Sequence, residues 1–455
     1  MNKSIKVLVP TGCIGSGVRL DLFAQALLEK PDVIAMDGGS TDSGPYYLGT
    51  GKTKGSAAVL KDELQVYMKA RAELGVPLII GSSGTCGSDS GVDLLRSICL
   101  EIAAELGQSV KIAAIYGEQQ AATLTQALAD GRVLPLNPPR PVDQALIERC
   151  SHIVASMGVE PFIHALEQGA DIIVAGRATD TAVLACLPIM RGAPAGPAWH
   201  AGKIMECGAQ CTTTPTDAMV MAEIDETGFT ISAIGPQARL TPQSVMAHML
   251  YENSNPNMLV EPGGVLNVEA ATYTAVSKQQ VRVEGSVWET SERYTVKLEG
   301  AAPAGYQSVL LSVVRGPEYI ARFDEWLAML DAVMRKRIEN NLGIGPSDYH
   351  LQFRAIGKNS ALGGWERHVG TPVEIGVMAI ATCAEASRTQ DILALLNPYM
   401  LHFPLPDDED LPTHAFPLSP ASMDRGLVYE FVLNHVMVVD NPLAPFRFDF
   451  TTIGA

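Results

Sequence analysis

The stretch "DIIVAGRATDTAV" (171–183) runs from an unbroken apolar segment through a polar turn into a helical pattern. Ile172, Ile173, Val174 and Ala175 offer no polar face, so this strand reads as one covered on both sides, as in a parallel sheet. The turn then places Arg177, Thr179, Asp180 and Thr181 within five residues. Two other stretches repeat the plan, "VIAMDGGSTDSG" (33–44) and "PLIIGSSGTCGSDSG" (77–91). In a parallel sheet every strand-to-helix turn lies at the carboxyl edge, where ligands bind, so the three turns become walls of one crevice.

Working outward, apolar strands at 5–10, 32–36, 77–82, 111–117, 152–156 and 171–176 alternate with amphipathic helices at 18–29, 56–75, 91–107 and 118–131. This alternation predicts an α/β fold with a doubly wound, mostly parallel, Rossmann-like sheet. A closed eight-fold barrel would need two further units, and the pattern breaks after 190. From about 220 the texture turns to period-two, β-branched runs such as "GFTISAIG" and "QQVRVEGSVWE", which read as antiparallel sheet. A helix over 317–341, a strand at 349–356 and a segment from 373 ending in a helix near 396 follow, then a Pro/acid loop, "HFPLPDDEDLPTHAFPLSP" (402–420). The expected organisation is an α/β domain over 1–214, an α+β domain over 215–400 and a C-terminal extension over 401–455.

Composition narrows the function. The chain is 47% hydrophobic and 18% charged, which suits a folded enzyme rather than a disordered chain. A net charge of −17 with no Lys/Arg run excludes generic nucleic-acid and anionic-membrane binding, leaving a small anionic substrate held by placed side chains. "MNKSIKVLVPTGCIG" reads as a strand and turn rather than a signal peptide, and the 8 Cys are scattered without a C-x-x-C pair. A reduced, cytoplasmic, homo-oligomeric protein is expected.

Capping accounts for one hydroxyl or acid per turn, Thr179 or Asp180 in one and Ser88 or Asp89 in another. The surplus is read as a site. Arg177 would clamp a carboxylate, and Ser40, Thr41, Ser83, Thr85, Ser88, Thr179 and Thr181 would hold hydroxyls. Replacing Arg177 with alanine is expected to abolish turnover and leave the fold intact. Asp37, Asp42, Asp180 and Glu206 are the acid/base candidates, and Cys207, beside Glu206 in "MECGAQC" (205–211), supplies a polarisable thiol.

"TGCIGSG" (11–17) would let the backbone N–H groups around Gly12, Gly15 and Gly17 approach an anion. Its G-x-x-G-x-G spacing departs from the dinucleotide G-x-G-x-x-G, and no Tyr-x-x-x-Lys accompanies it, so NAD is disfavoured. "YYLGTGKTKG" (46–55) lacks the first glycine of a P-loop and reads instead as a lid carrying Lys52 and Lys54. The 9 His show no H-x-H or H-E-x-x-H pair, so the metal expectation is limited to a divalent ion such as Mg2+ on carboxylates and hydroxyls.

Together "GCIGSGVRLD", "GADIIVAGRATDTAV", "KIMECGAQCTTTPTD", "EIDETGFTI", "MLYENSNPNMLVEPGGVLNVEAATY" and "VRVEGSVWE" resemble the acyclic terpene utilisation protein A (AtuA-like) family, over roughly residues 5 to 300. The C-terminal "GLVYEFVLNHVMVVDNPLAPFRFDF" is similar to the small domain that often accompanies it. The resemblance implies bacterial catabolism of branched or carboxylated acids, with a lyase step on glutaryl-type thioesters proposed for the name-giving branch. The polar second and third turns favour a smaller, more polar carboxylate. The expectation is a lyase, hydro-lyase or isomerase acting on a small hydroxylated acid or its CoA ester. The alternatives are an NAD-dependent oxidoreductase using the 11–17 loop, or a non-catalytic acid-binding subunit of a two-component enzyme.

Overall fold

A computed structural model describes residues 4–368, 370–406, 412 and 414–454. Part of the Pro/acid loop read at 402–420, namely 407–411 and 413, lies outside the described residues. Two compact units emerge, one formed by residues 1–302 with 431–455 and the other by 303–430.

The protein is mixed α/β. The centre of the first unit is parallel and follows the apolar runs read from the sequence: β1 (Ile5–Val9), β2 (Val33–Asp37), β3 (Leu78–Gly81), β4 (Val110–Tyr116) and β5 (Ile172–Ala175). Their spatial order is β1-β2-β3-β5-β4, every pair parallel. Successive residues feed opposite cores. Val7, Ala35, Ile79, Ile173 and Ala113 point to one face, and Leu8, Ile34, Ile80, Val174 and Ala114 to the other. Helices cover both faces, as the unbroken apolar runs require. α1 (Leu20–Leu28), α2 (Ala57–Leu74) and α3 (Asp89–Leu106) pack on the Leu8 face. α4 (Glu160–Glu167), α5 (Asp180–Met190) and α6 (Ala195–Met205) pack on the Val7 face.

The period-two segments divide: Val287–Thr290 pairs antiparallel with Gly264–Asn267, and that with Met258–Glu261, in a separate three-stranded sheet, while others extend the parallel centre. β6 (Met219–Ile224) pairs antiparallel with β1 and continues into β7 (Gly228–Ile234). β8 (Thr272–Ala275) and β9 (Gln280–Glu284) complete that flank, and β10 (Arg447–Ile453) closes the other against β4, for ten strands in all. The run at 152–156 is corrected. His152–Ala155 stands outside this sheet and pairs antiparallel with Leu298–Ala301, because a short run with three buried residues reads the same whichever way its partner runs. In the second unit, Ile375–Cys383 pairs with 306–314 and with Tyr349–Ile356. Trp326, Leu330 and Met334 of the helix Phe323–Arg337 meet Leu393, Leu396 and Met400 of Ala386–His402 in one core.

The turns at the carboxyl edge are pressed together. Gly87 has φ +68°, and a Cβ there would lie 2.1 Å from the backbone N of Arg177. Gly87→Ala therefore meets both a left-handed backbone and a fixed main-chain wall. It is expected to lower unfolding free energy by about 1–3 kcal/mol, read by urea denaturation.

Candidate active site

The carboxyl edge of β1, β2 and β3 opens on a cavity of about 1060 Å³ in the first unit. Its wall includes all five acid/base and thiol candidates, Asp37, Asp42, Asp180, Glu206 and Cys207, with Gly12, Gly15, Gly17, Ser40 and Thr85. Strand direction explains the convergence, since Asp37 ends β2 and Asp180 opens α5 directly after β5. Glu206 and Cys207 follow the last turn of α6, which lies against the turn after β1. A Cβ on Gly12 would sit 2.6 Å from the Cys207 carbonyl, so glycine is needed there for packing.

The remaining candidates are turned elsewhere. Ser88 and Thr179 are caps, accepting N–H groups of Gly91 and Ala182 at 3.3 Å each. Thr41 Oγ1 donates to Glu299 at 3.2 Å and Thr181 Oγ1 to Glu206 at 3.2 Å. Ser83 is fully buried away from the cavity wall, its hydroxyl without a partner among the described residues. Arg177 does not line the cavity either. Its Nε donates to Glu299 at 2.9 Å and its Nη1 to Ser82 Oγ at 3.1 Å, with Asp180 Oδ1 at 3.4 Å. Burial works against the Glu299 carboxylate, but Arg177 and Lys297 outweigh it and hold it down at about 2. The expected carboxylate clamp is thus already closed on an internal carboxylate.

The Gly loop is likewise occupied. Glu63 on α2, itself buried, accepts the N–H of Gly15 at 2.9 Å and of Gly17 at 2.5 Å. These are the donors a pyrophosphate would need, and a fixed carboxylate beside them repels one.

Asp37 is the most unusual of the wall residues. It is 6% exposed, and Oδ2 accepts the Gly39 N–H at 3.0 Å while Oδ1 has no partner among the described residues. Burial and the neighbouring Asp180 push its carboxyl well above the ordinary range. Burial also raises Asp180, against the pull of Arg177. Thr85 holds φ +83°, a strained conformation for a β-branched residue, and its Oγ1 accepts the Lys54 N–H at 2.8 Å. Burial pushes the Cys207 thiol up to about 12, which leaves it protonated and unreactive by itself. Burial likewise raises Glu206 to about 8 although Lys203 pairs with it.

The sequence reading passed over several wall or adjoining groups: Cys13, Gln210, Tyr251 and Glu252 on the wall, with Glu63 and His248 beside it. The signal for two of them was present, because "MLYENSNPNMLVEPGG" brings Tyr251 and Glu252 into a quoted family stretch. That stretch also holds Glu261, whose carboxyl is fully enclosed and raised by burial to about 7. A carboxyl raised from 4.5 stays protonated in the folded chain while the unfolded chain ionises. Stability is then full below about 4.5 and is lost as pH rises towards 7. Glu261→Gln should remove on the order of 3 kcal/mol of that decline, measured as unfolding free energy at pH 5 and pH 8.

The family model described as acyclic terpene utilisation family protein AtuA matches residues 49–400, more than half of the chain. The chain belongs to that family. Within the AtuA match fall Lys54, Thr85, Asp180, Glu206, Cys207 and Glu252 of the cavity wall, while the Gly loop and Asp37 precede it. No curated protein and no solved structure matches the chain. Among the described residues no helix is long and apolar enough to cross a membrane.

Proposed function

We propose that this AtuA family member is a catabolic lyase, hydro-lyase or isomerase working by acid/base chemistry on a small hydroxylated carboxylic acid or its CoA ester. The carrying observation is the pair Asp37 and Asp180 on one cavity wall, where burial and the neighbouring Asp180 charge push Asp37 towards the protonated form. Two carboxyls in this relation divide the work of base and acid. Asp180, raised by burial but with Arg177 beside it to favour its ionised form, is the base that takes the proton from the carbon beside the substrate carboxyl. Asp37, held towards the neutral form, donates its proton to the departing hydroxyl, which leaves as water as the double bond forms.

The parallel core is read as a Rossmann-like doubly wound sheet serving this edge. A volume of about 1060 Å³ exceeds what a short acid fills and favours the bulkier ester. The occupied Gly loop disfavours the NAD-dependent alternative. With Arg177 engaged, Lys54 is the wall cation without an ion pair among the described residues, and it takes over the carboxylate-holding role. Thermal-shift titration with hydroxy acids and their CoA esters tests the reading. A ligand that raises the melting temperature should bind about tenfold more weakly to Lys54→Ala. Absence of any stabilising acid or ester would sink it.

A further inference from the structure

Glu206, Cys207 and His248 each offer a donor atom to one spot, and the three donors lie within 4.8 Å of one another. The residues come from two separate elements, the end of α6 and the short 3-10 turn His248–Leu250. His248 is 6% exposed, and its Nε2 has no hydrogen-bond partner among the described residues. A buried, unpartnered imidazole nitrogen costs free energy unless something fills the space beside it. Glu206 and Cys207 also line the cavity, so the fourth side of the cluster faces the proposed substrate.

We infer that Glu206, Cys207 and His248 form a site for a zinc-like divalent transition metal, with its open position turned into the cavity. Thiolate, imidazole and carboxylate are the donor set that such an ion prefers, and three protein ligands with one vacancy is the catalytic arrangement. Bonds of about 2.0–2.3 Å hold tetrahedral donors roughly 3–4 Å apart, so the cluster closes by about an ångström on loading. Lys203 now pairs with Glu206, but it also donates to the Tyr251 carbonyl at 2.7 Å, an acceptor it keeps when the metal arrives. The site deepens the reading given under Proposed function, and rests on it for its role: the open position would polarise the substrate's carboxyl or hydroxyl oxygen in a cavity otherwise hostile to anions.

The test needs no substrate. The full chain is stripped with chelator, dialysed against Co2+ or Zn2+, and assayed for bound metal and for the visible and near-ultraviolet spectrum of the cobalt form. Expected are one tightly held metal per chain and a thiolate-to-cobalt charge-transfer band. Cys207→Ser should lose that band. His248→Gln should lose more than about 100-fold in affinity, since changes one shell further out already cost about 10–100-fold. Absence of stoichiometric metal, absence of the thiolate band in the unmutated chain, or equal binding in His248→Gln would each overturn the site. The unmutated spectrum decides even where a variant fails to fold. Metal binding without any acid ligand would refute the functional reading and spare the site, and the converse result would do the opposite.

Discussion

Replacing Arg177 with alanine is expected to destabilise the first unit by about 3–5 kcal/mol, the range for removing one partner of a buried ion pair. The guanidinium is only 13% exposed and its Glu299 partner 7%, so the carboxylate left behind has little water to turn to. Lys297, at 2.9 Å from Glu299, is half exposed and offsets only part of the loss. Urea unfolding should show the midpoint falling without a change of slope. The pairing of Arg177→Ala with Glu299→Gln should recover a good part of the deficit, because the orphaned charge is then gone. A variant as stable as the parent chain, yet unable to bind acids, would instead restore Arg177 to the role of substrate clamp that its sequence position suggested.

Asp37→Asn is the second large effect, in activity rather than stability. Asparagine keeps the shape and can still accept the Gly39 N–H, so the fold should stand. It cannot give up a proton, and turnover of an accepted acid or ester should fall about 10²- to 10⁴-fold. The pH profile gives an independent check. Asp37 is held above the ordinary carboxyl range and works as the neutral form, so activity should decline as pH rises through its raised value. That limb should be missing from the residual activity of Asp37→Asn.

The sequence carried the parallel core because its signal is local. Ile172 to Ala175 and Val33 to Met36 are apolar without interruption, and only a sheet covered on both faces uses such runs. It carried Asp37, Asp42 and Asp180 to the wall for a related reason, since strand ends share one edge whatever the strand order, whereas Glu206 and Cys207 reach the same wall from the end of a helix. The direction each side chain takes was not legible. Arg177 and Thr41 sit on the right turns, but both reach Glu299, more than a hundred residues further along the chain. Glu63 shows the same limit, as a helical acid of ordinary appearance that occupies the Gly loop of a different turn. Antiparallel pairing hid in the same way. Met219–Ile224 follows a Gly/Pro-rich link, and nothing in its alternation says that its partner is the first strand of the chain. His248 meets Glu206 and Cys207 across some forty residues, a spacing that no short motif reports.

Deuterium incorporation tests the central claim most directly. The chain is incubated in D2O with each hydroxy acid or ester that stabilises it, and exchange at the carbon beside the carboxyl is followed by NMR. Acid/base chemistry at Asp37 and Asp180 predicts enzyme-dependent exchange of that proton, at least about 100-fold slower in Asp180→Asn. A bound ligand whose proton never exchanges, or exchange that proceeds undiminished in Asp180→Asn, would contradict it.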